Sequence, residues 1–406
     1  MATVVAIGTL DTKGAEYDYL CRRLREHGVD VILVDAGVLG EPTGTADITR
    51  AEVAQAAGAE IGQLAASGDR GAAVEMMSRG AAVIVGRLQE EGRLDAVVGM
   101  GGSGGTSLVT HAMQQLPVGV PKLVLSTVAA GNTRPYVGAV DIAMMHSVVD
   151  VAGVNQISAR IIGNAAAAVA GMAKAEAPKL GEARPLIGAS MFGVTTPCVT
   201  AARERLEELG YEVLVFHQTG TGGQSMEELV RAGFVTGLLD ATTTELCDEL
   251  VGGVLPAHPK RLEVAGSLGV PQVVSLGALD MVNFGPMETV PQIFRTRNLH
   301  VHNPTVTLMR TTPEECAELG ERIARKLSSA TGPTALFVPL RGVSMIAMEG
   351  QPFHDPDADS ALFSAVRENL GPNVELHELD TDINDPSFAI AMADRLHGML
   401  SRGDKT

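Results

Sequence analysis

Tryptophan is absent from the 406-residue chain, and aromatic residues make up only 3% of it. Single-stranded nucleic acid is held largely by bases stacking on aromatic rings, so this composition argues against such a partner. Positive charge is also scarce: 31 Lys and Arg stand against 48 Asp and Glu, a formal net charge of -17. Nucleic acid or an anionic membrane surface would be repelled. The four cysteines, Cys21, Cys198, Cys247 and Cys316, lie far apart and form no C-x-x-C pair. That spacing points away from disulfides and toward a reducing compartment. No run of about 18 or more apolar residues occurs, which excludes a membrane-spanning helix. The opening Met1-Ala-Thr-Val-Val-Ala-Ile-Gly8 reads as a strand without a basic leader, so a cytoplasmic protein is expected.

What the chain does have is hydrophobic content of 45% and 46 glycines. Its length exceeds what one core usually organises, which predicts two domains. Short β-branched runs, Thr3–Ile7, Val31–Val34, Leu94–Val98 and Val120–Leu125, alternate with helical patterns up to a helix from about Asn155 to Lys174. The charged, Pro/Gly-marked segment Ala175–Pro185 then precedes a second βα series. The predicted fold is α/β: two Rossmann-like doubly wound lobes, 1–180 and 181–406, with mainly parallel sheets and a cleft between them.

The densest chemical signal is Gly99-Met-Gly-Gly-Ser-Gly-Gly-Thr-Ser107, between a strand and a helix expected to begin near Thr106. Bare amides at a helix N-terminus, with no Cβ atoms in the way, form an anion site. Gly99-x-Gly101-x-x-Gly104 formally matches the dinucleotide fingerprint. The next strand lacks the acid that fingerprint needs, and this is not the first βα turn, so an NAD site is rejected. There is no G-x-x-x-x-G-K-[ST] phosphate loop either. Lys13 stands near a helix start, where a cation opposes the dipole unless an anion lies close. Thr9, Asp11, Thr12, Lys13, Asp35, Gly101, Gly102, Ser103, Gly104, Gly105, Thr106, Ser126 and Thr127 all fall at expected carboxyl ends of strands. Open parallel sheets bind ligands there. These residues are the predicted cofactor site, with Asp11 or Asp35 reaching metal or ribose.

The second lobe offers another glycine-threonine loop, His217-Gln-Thr219-Gly-Thr-Gly-Gly223, and acids at Glu245 and Asp280. Alternation places His300 and His302 on one face of an extended segment. A third metal ligand could come from His217, Glu245 or Asp280, though two strand histidines can equally hydrogen-bond backbone or substrate, so the metal set stays undefined. Thr307 and Arg310 read as oxyanion donors. His302, Arg310, Glu245 and Arg341 are the catalytic candidates; His217, Thr219, Asp280, Asn303 and Thr307 are the substrate-binding ones. The loop Glu349–Asp357 reads either as a lid over a cleft or as an ordered surface loop.

Several stretches together resemble one family. They include Gly8-Thr-Leu-Asp-Thr-Lys-Gly14, Met100-Gly-Gly-Ser-Gly-Gly-Thr106, Phe216-His-Gln-Thr-Gly-Thr-Gly-Gly223, Val301-His-Asn-Pro-Thr-Val-Thr-Leu-Met-Arg310 and Pro339-Leu-Arg-Gly-Val-Ser344. The group shares the ATP-binding N-terminal domain of the tomato mosaic virus resistance protein. The resemblance implies two Rossmann-like subdomains, a homodimer or higher homo-oligomer, and ATP with Mg²⁺ as cofactor. The leading expectation is a nucleotide-binding, enzyme-like protein acting on a small anionic metabolite by phosphoryl transfer or ATP-driven chemistry. The alternatives are a nucleotide-sensing module that docks a partner, and a metal-dependent hydrolase or lyase of a phosphorylated substrate.

Overall fold

The computed structural model describes residues 1–176 and 184–403. It divides into two compact units, Met1–Lys179 and Leu180–Thr406. Most of the segment expected to separate the lobes, Ala175–Pro185, lies outside the described residues.

Unit 1 opens with β1 (Thr3–Gly8), buried from Val4 onward, as suits an inner parallel strand of β-branched residues. Then follow α1 (Leu10–Glu26), β2 (Asp30–Asp35), α2 (Arg50–Ala56), α3 (Ile61–Ala66), α4 (Arg70–Glu90) and β3 (Ala96–Gly101). The unit closes with α5 (Ser103–Met113), β4 (Lys122–Ser126), α6 (Arg134–Val137), β5 (Ile142–His146) and α7 (Gln156–Lys174). All strands pair in parallel in the order β2-β1-β3-β4-β5. One core, with α4 and α5, covers one face; α1 and α7 cover the other. The direction of winding reverses between β1 and β3, so a crevice is expected beyond their carboxyl ends.

Tyr17 of α1 locks those two strand ends. Its buried hydroxyl donates to Ile7 O at 2.5 Å and accepts the Met100 amide at 2.8 Å. A Cβ on Gly8 would fall 2.0 Å from the Tyr17 ring, which is why β1 ends in glycine.

Unit 2 runs β6 (Leu186–Met191), α8 (Thr196–Glu208), β7 (Glu212–His217), α9 (Thr221–Arg231), β8 (Val235–Thr242), α10 (Glu245–Val251), α11 (Val264–Ser267) and β9 (Gln272–Gly277). Next come β10 (Met281–Phe284), β11 (Leu299–Asn303), β12 (Val306–Arg310) and α12 (Pro313–Ser328). The last elements are β13 (Thr334–Pro339), α13 (Pro356–Asn369), β14 (Val374–Leu379) and α14 (Pro386–Gly403). A six-stranded parallel sheet has the order β14-β13-β9-β8-β6-β7. A separate antiparallel sheet, β10-β12-β11, carries the two strand histidines.

Some boundaries differ from the sequence expectation. Residues 41–92 are not one helical stretch; only 50–56, 61–66 and 70–90 are helical. β3 continues through Gly101, and α5 starts at Ser103 instead of near Thr106. The glycines allow this extension. A Cβ on Gly99 would lie 2.4 Å from Val109, and one on Gly101 would lie 3.0 Å from Gly105 Cα. Those two residues serve close packing of strand on helix.

Candidate functional site

At the β1/β3 crevice lies a cavity of about 270 Å³. Its lining includes Thr9, Asp11, Thr12 and Lys13 from the start of α1, and Gly102, Ser103, Gly104 and Gly105 from the start of α5. Eight of the predicted cofactor residues therefore surround one space.

The start of α5 is open. Gly102 is its N-cap and supplies no side-chain hydrogen bond, and the first helical backbone bond is Thr106 N to Gly102 O. The first amides of such a helix are left for water or a ligand, and the dipole favours an anion. A Cβ added at Gly104 would meet nothing within 4 Å. Lys13 stands at a break in α1, with φ -136° and ψ 27°. Its ammonium donates to Val151 O. The hydroxyls of Thr9 and Thr12 lie 2.8 Å apart.

Five predicted cofactor residues stay out of the cavity lining. Asp35 is buried and accepts the Leu10 amide at 3.0 Å and the Gly37 amide at 2.9 Å. Burial raises its carboxyl pKa, opposed by those two amides. Its Oδ1 is thus taken by the backbone at the start of α1 and at the turn after β2. Thr106 and Ser126, both buried, pair hydroxyl to hydroxyl at 2.6 Å and tie α5 to β4. Gly101 is strand, and Thr127 sits on the short 3-10 turn after β4. Asp11 does line the cavity, but its Oδ2 already accepts the amides of Leu39 at 2.7 Å and Gly40 at 3.3 Å.

Unit 2 does not gather its predicted residues. Glu245 is fully buried; its Oε1 accepts the Gly220 amide at 2.6 Å and the Gly223 amide at 3.3 Å. Its Oε2 lies 3.1 Å from Arg261 Nε. Arg261, itself buried, also holds Asp240 at 2.5 and 2.7 Å through both terminal nitrogens. Burial raises the Glu245 carboxyl, with Arg261 pulling the other way. The glycine-threonine loop at the start of α9 is therefore occupied by the chain's own carboxylate, and Glu245 is structural.

Arg310 is likewise committed. It donates to Phe353 O at 2.8 Å, to Thr311 Oγ1 at 2.8 Å and to Asp359 Oδ1 at 2.6 Å, which leaves no fork for a substrate oxyanion. Asp280 accepts the Ser344 hydroxyl at 2.7 Å in full burial, which pushes its carboxyl up to about 6. Thr307 is buried in the antiparallel sheet, opposite Phe284. His302 and Asn303 are exposed at the register shift of β11, and Asn303 Oδ1 accepts the amide and hydroxyl of Thr305. His300 faces the Phe353 ring edge at 6.1 Å. His217 is exposed against Phe192, and the Thr219 hydroxyl turns back to His217 O at 3.5 Å. Arg341 is exposed and holds Asp380 at 2.5 and 3.1 Å. Among the described residues, no three His, Cys, Asp or Glu are placed to hold a metal. That removes the set of His300, His302 and Glu245. The loop at 349–357 does border a cavity of about 720 Å³, shared with Arg341, Arg367 and Asp359.

Sequence reasoning missed Arg70 and Asp150, both on the first cavity, and Arg261, the hub of unit 2. Arg70 carried a usable signal. It follows the N-cap Asp69 in the first helical turn, where a cation opposes the dipole as Lys13 does.

Comparison with known proteins places the chain. The N-terminal domain of an uncharacterised protein family (UPF0261) matches residues 2–178, and the family's C-terminal domain matches residues 184–400. A UPF0261 protein of Clostridium tetani is 52% identical over 98% of this chain and 99% of its own. The ToMV resistance protein Tm-1(GCR237) of Solanum lycopersicum is 44% identical over 80% of this chain, which spans only 44% of the tomato protein. Among solved structures, a UDP-N-acetylglucosamine 2-epimerase from Rickettsia bellii aligns over 63% of this chain and 78% of its own. Its identity of 10% and TM-score of 0.24 carry no argument about this protein. By both of its domains, the chain belongs to the uncharacterised protein family UPF0261.

Proposed function

We propose that unit 1 binds a nucleoside triphosphate, with ATP the ligand that the family resemblance implies. The observation that carries this reading is the convergence of an uncapped, glycine-rich helix start with Lys13 and Arg70 on one cavity at a sheet switch point. The phosphates lie on the amides of Ser103–Gly105, with Lys13 and Arg70 supplying the counter-charge that the acidic chain as a whole does not. At about 270 Å³ the cavity is at the small end of ligand sites, which typically run from roughly 300 Å³ upward. It fits a phosphate tail better than a whole nucleotide. Mg²⁺ bound to those phosphates would meet Asp150, exposed on the cavity lining, and Asp11, whose Oδ2 is held by the amides at residues 39–40 while its buried Oδ1 has no partner.

Phosphoryl transfer to a small anionic metabolite called on His302, Arg310, Glu245 and Arg341, and these do not form one site. A homo-oligomer in the cytoplasm, implied by the resemblance and by four buried free cysteines, belongs to the same proposal.

Calorimetric titration with Mg-ATP tests it. A charge-assisted hydrogen bond contributes about 1.5–3 kcal/mol, so Lys13→Met should weaken binding about tenfold or more. Gly104→Val, which puts a side chain into the open space of the cradle, should abolish it. Absence of heat from the unaltered protein would overturn the reading.

A further inference from the structure

We propose that this site holds its ligand by the phosphates and is indifferent to the base, so that ATP and GTP bind alike. The inference rests on the triphosphate reading and goes beyond it to specificity.

The wall formed after β2 and by α4 and α5 is apolar. Ala36, Val38, Val74 and Leu108 line it and belong to or pack on the core beneath α4 and α5. Leu39 extends the wall and is 57% exposed. An exposed leucine at the edge of a cavity too small for a whole nucleotide is a surface for a flat base.

A base could still be read by backbone donors, as adenine and guanine differ mainly in their hydrogen-bonding edges. Here four of those donors are engaged. Ala36 N donates to Gly8 O at 2.7 Å and Gly37 N to Asp35 Oδ1 at 2.9 Å. The amides of Leu39 and Gly40 both go to Asp11 Oδ2. The two acids that sequence assigned to metal or ribose thus hold three of the amides that would otherwise read a base.

Arg70 is the cation on this side, four residues before Val74 on the same helix face. A guanidinium reaches a phosphate or stacks on a ring, and neither contact depends on an amino or keto substituent. Apolar contact separates close analogues by only about 10–200-fold, whereas a site built on hydrogen bonds to the distinguishing group reaches about 10⁴-fold or more.

The test is competition binding to the full-length protein with Mg-ATP, Mg-GTP and inorganic tripolyphosphate, repeated on Leu39→Ser and Arg70→Ala. ATP and GTP should agree within about tenfold. Leu39→Ser should weaken both nucleotides by a similar factor and leave tripolyphosphate unchanged. Arg70→Ala should weaken all three without altering the ATP-to-GTP ratio. A ratio beyond about tenfold in the unaltered protein, or one that moves in either variant, overturns base indifference while leaving the triphosphate reading intact. Failure of all three to bind overturns the triphosphate reading itself, and this inference with it.

Discussion

Glu245 Oε1 stands 2.6 Å from the Gly220 amide, in the place a ligand anion would take at the start of α9. The chain contains two glycine-rich strand-to-helix turns and treats them oppositely. In unit 2 the helix dipole is answered by an internal carboxylate, itself held by Arg261. In unit 1 the start of α5 has no side-chain cap, and the nearby carboxylates of Asp11 and Asp35 are turned onto the backbone at residues 37–40. Similar local sequences therefore give one sealed turn and one open cradle.

That arrangement predicts a large stability cost at Glu245. Removing one partner of a buried ion pair leaves uncompensated charge and costs about 3–5 kcal/mol. Glu245→Ala should show this loss in urea unfolding followed by circular dichroism. Glu245→Gln keeps an oxygen for the Gly220 amide and should lose less. ATP affinity measured under folding conditions should not change in Glu245→Gln, because the residue belongs to the other unit.

The glycines of the 99–105 run should separate into two classes. Gly99→Ala forces a methyl to within 2.4 Å of Val109, and overpacking of that kind costs about 1–3 kcal/mol. Gly104→Ala meets open space and removes backbone freedom from the unfolded chain, so a gain of about 0.5–1 kcal/mol is expected. Thermal unfolding of the two variants should shift in opposite directions. Shifts of the same sign would mean the run is uniformly a packing device.

Lys122 gives a third check, since it is fully buried on an inner strand. Its ammonium donates to Pro117 O at 2.8 Å, Val120 O at 2.9 Å and Asp141 Oδ1 at 2.8 Å. Lys122→Met keeps the volume but strands two carbonyls, an expected loss of about 1–3 kcal/mol. Hydrogen exchange at residues 117–122 should accelerate in the variant. An unchanged exchange pattern would show that the clip is not holding that turn.

Parallel strands and their glycine punctuation were legible in the sequence because they are local: β1 is a six-residue strand buried from Val4 onward, and glycine is forced where Tyr17 or Val109 fills the space. The cradle was legible for the same reason. What the acids do was not. Asp11, Asp35 and Glu245 all stand at strand ends, where a ligand role and a capping role look identical until the amides they accept are located. Arg310 looked like a substrate fork only because Asp359 and Phe353 O, distant in sequence, were out of view. Arg261 lies in a stretch with no helical or strand period, so nothing local marked it as a buried hub.

Asp248 sets a pH dependence whose sign can be worked out. Its carboxylate accepts the Asn283 amide at 3.0 Å, the Asn283 side-chain nitrogen at 2.7 Å and the Leu255 amide at 3.4 Å. Burial nevertheless dominates and pushes the carboxyl up from 3.8 to about 7. A raised carboxyl pKa means that the folded state holds a proton the unfolded state has released. This contribution to stability is therefore complete below about pH 4, falls as pH rises, and is gone above about pH 7, at a slope of at most about 1.4 kcal/mol per pH unit. Asp248→Asn removes the titration. It also offers a donor to the buried Asn283 Oδ1, which has no partner, once the Asn283 amide turns over. Urea unfolding at pH 5, 6, 7 and 8 should show the variant gaining on the unaltered protein as pH rises, with the difference levelling above about pH 7. Parallel curves would mean that the Asp248 carboxyl ionises in its ordinary range, and that its amide donors outweigh its burial.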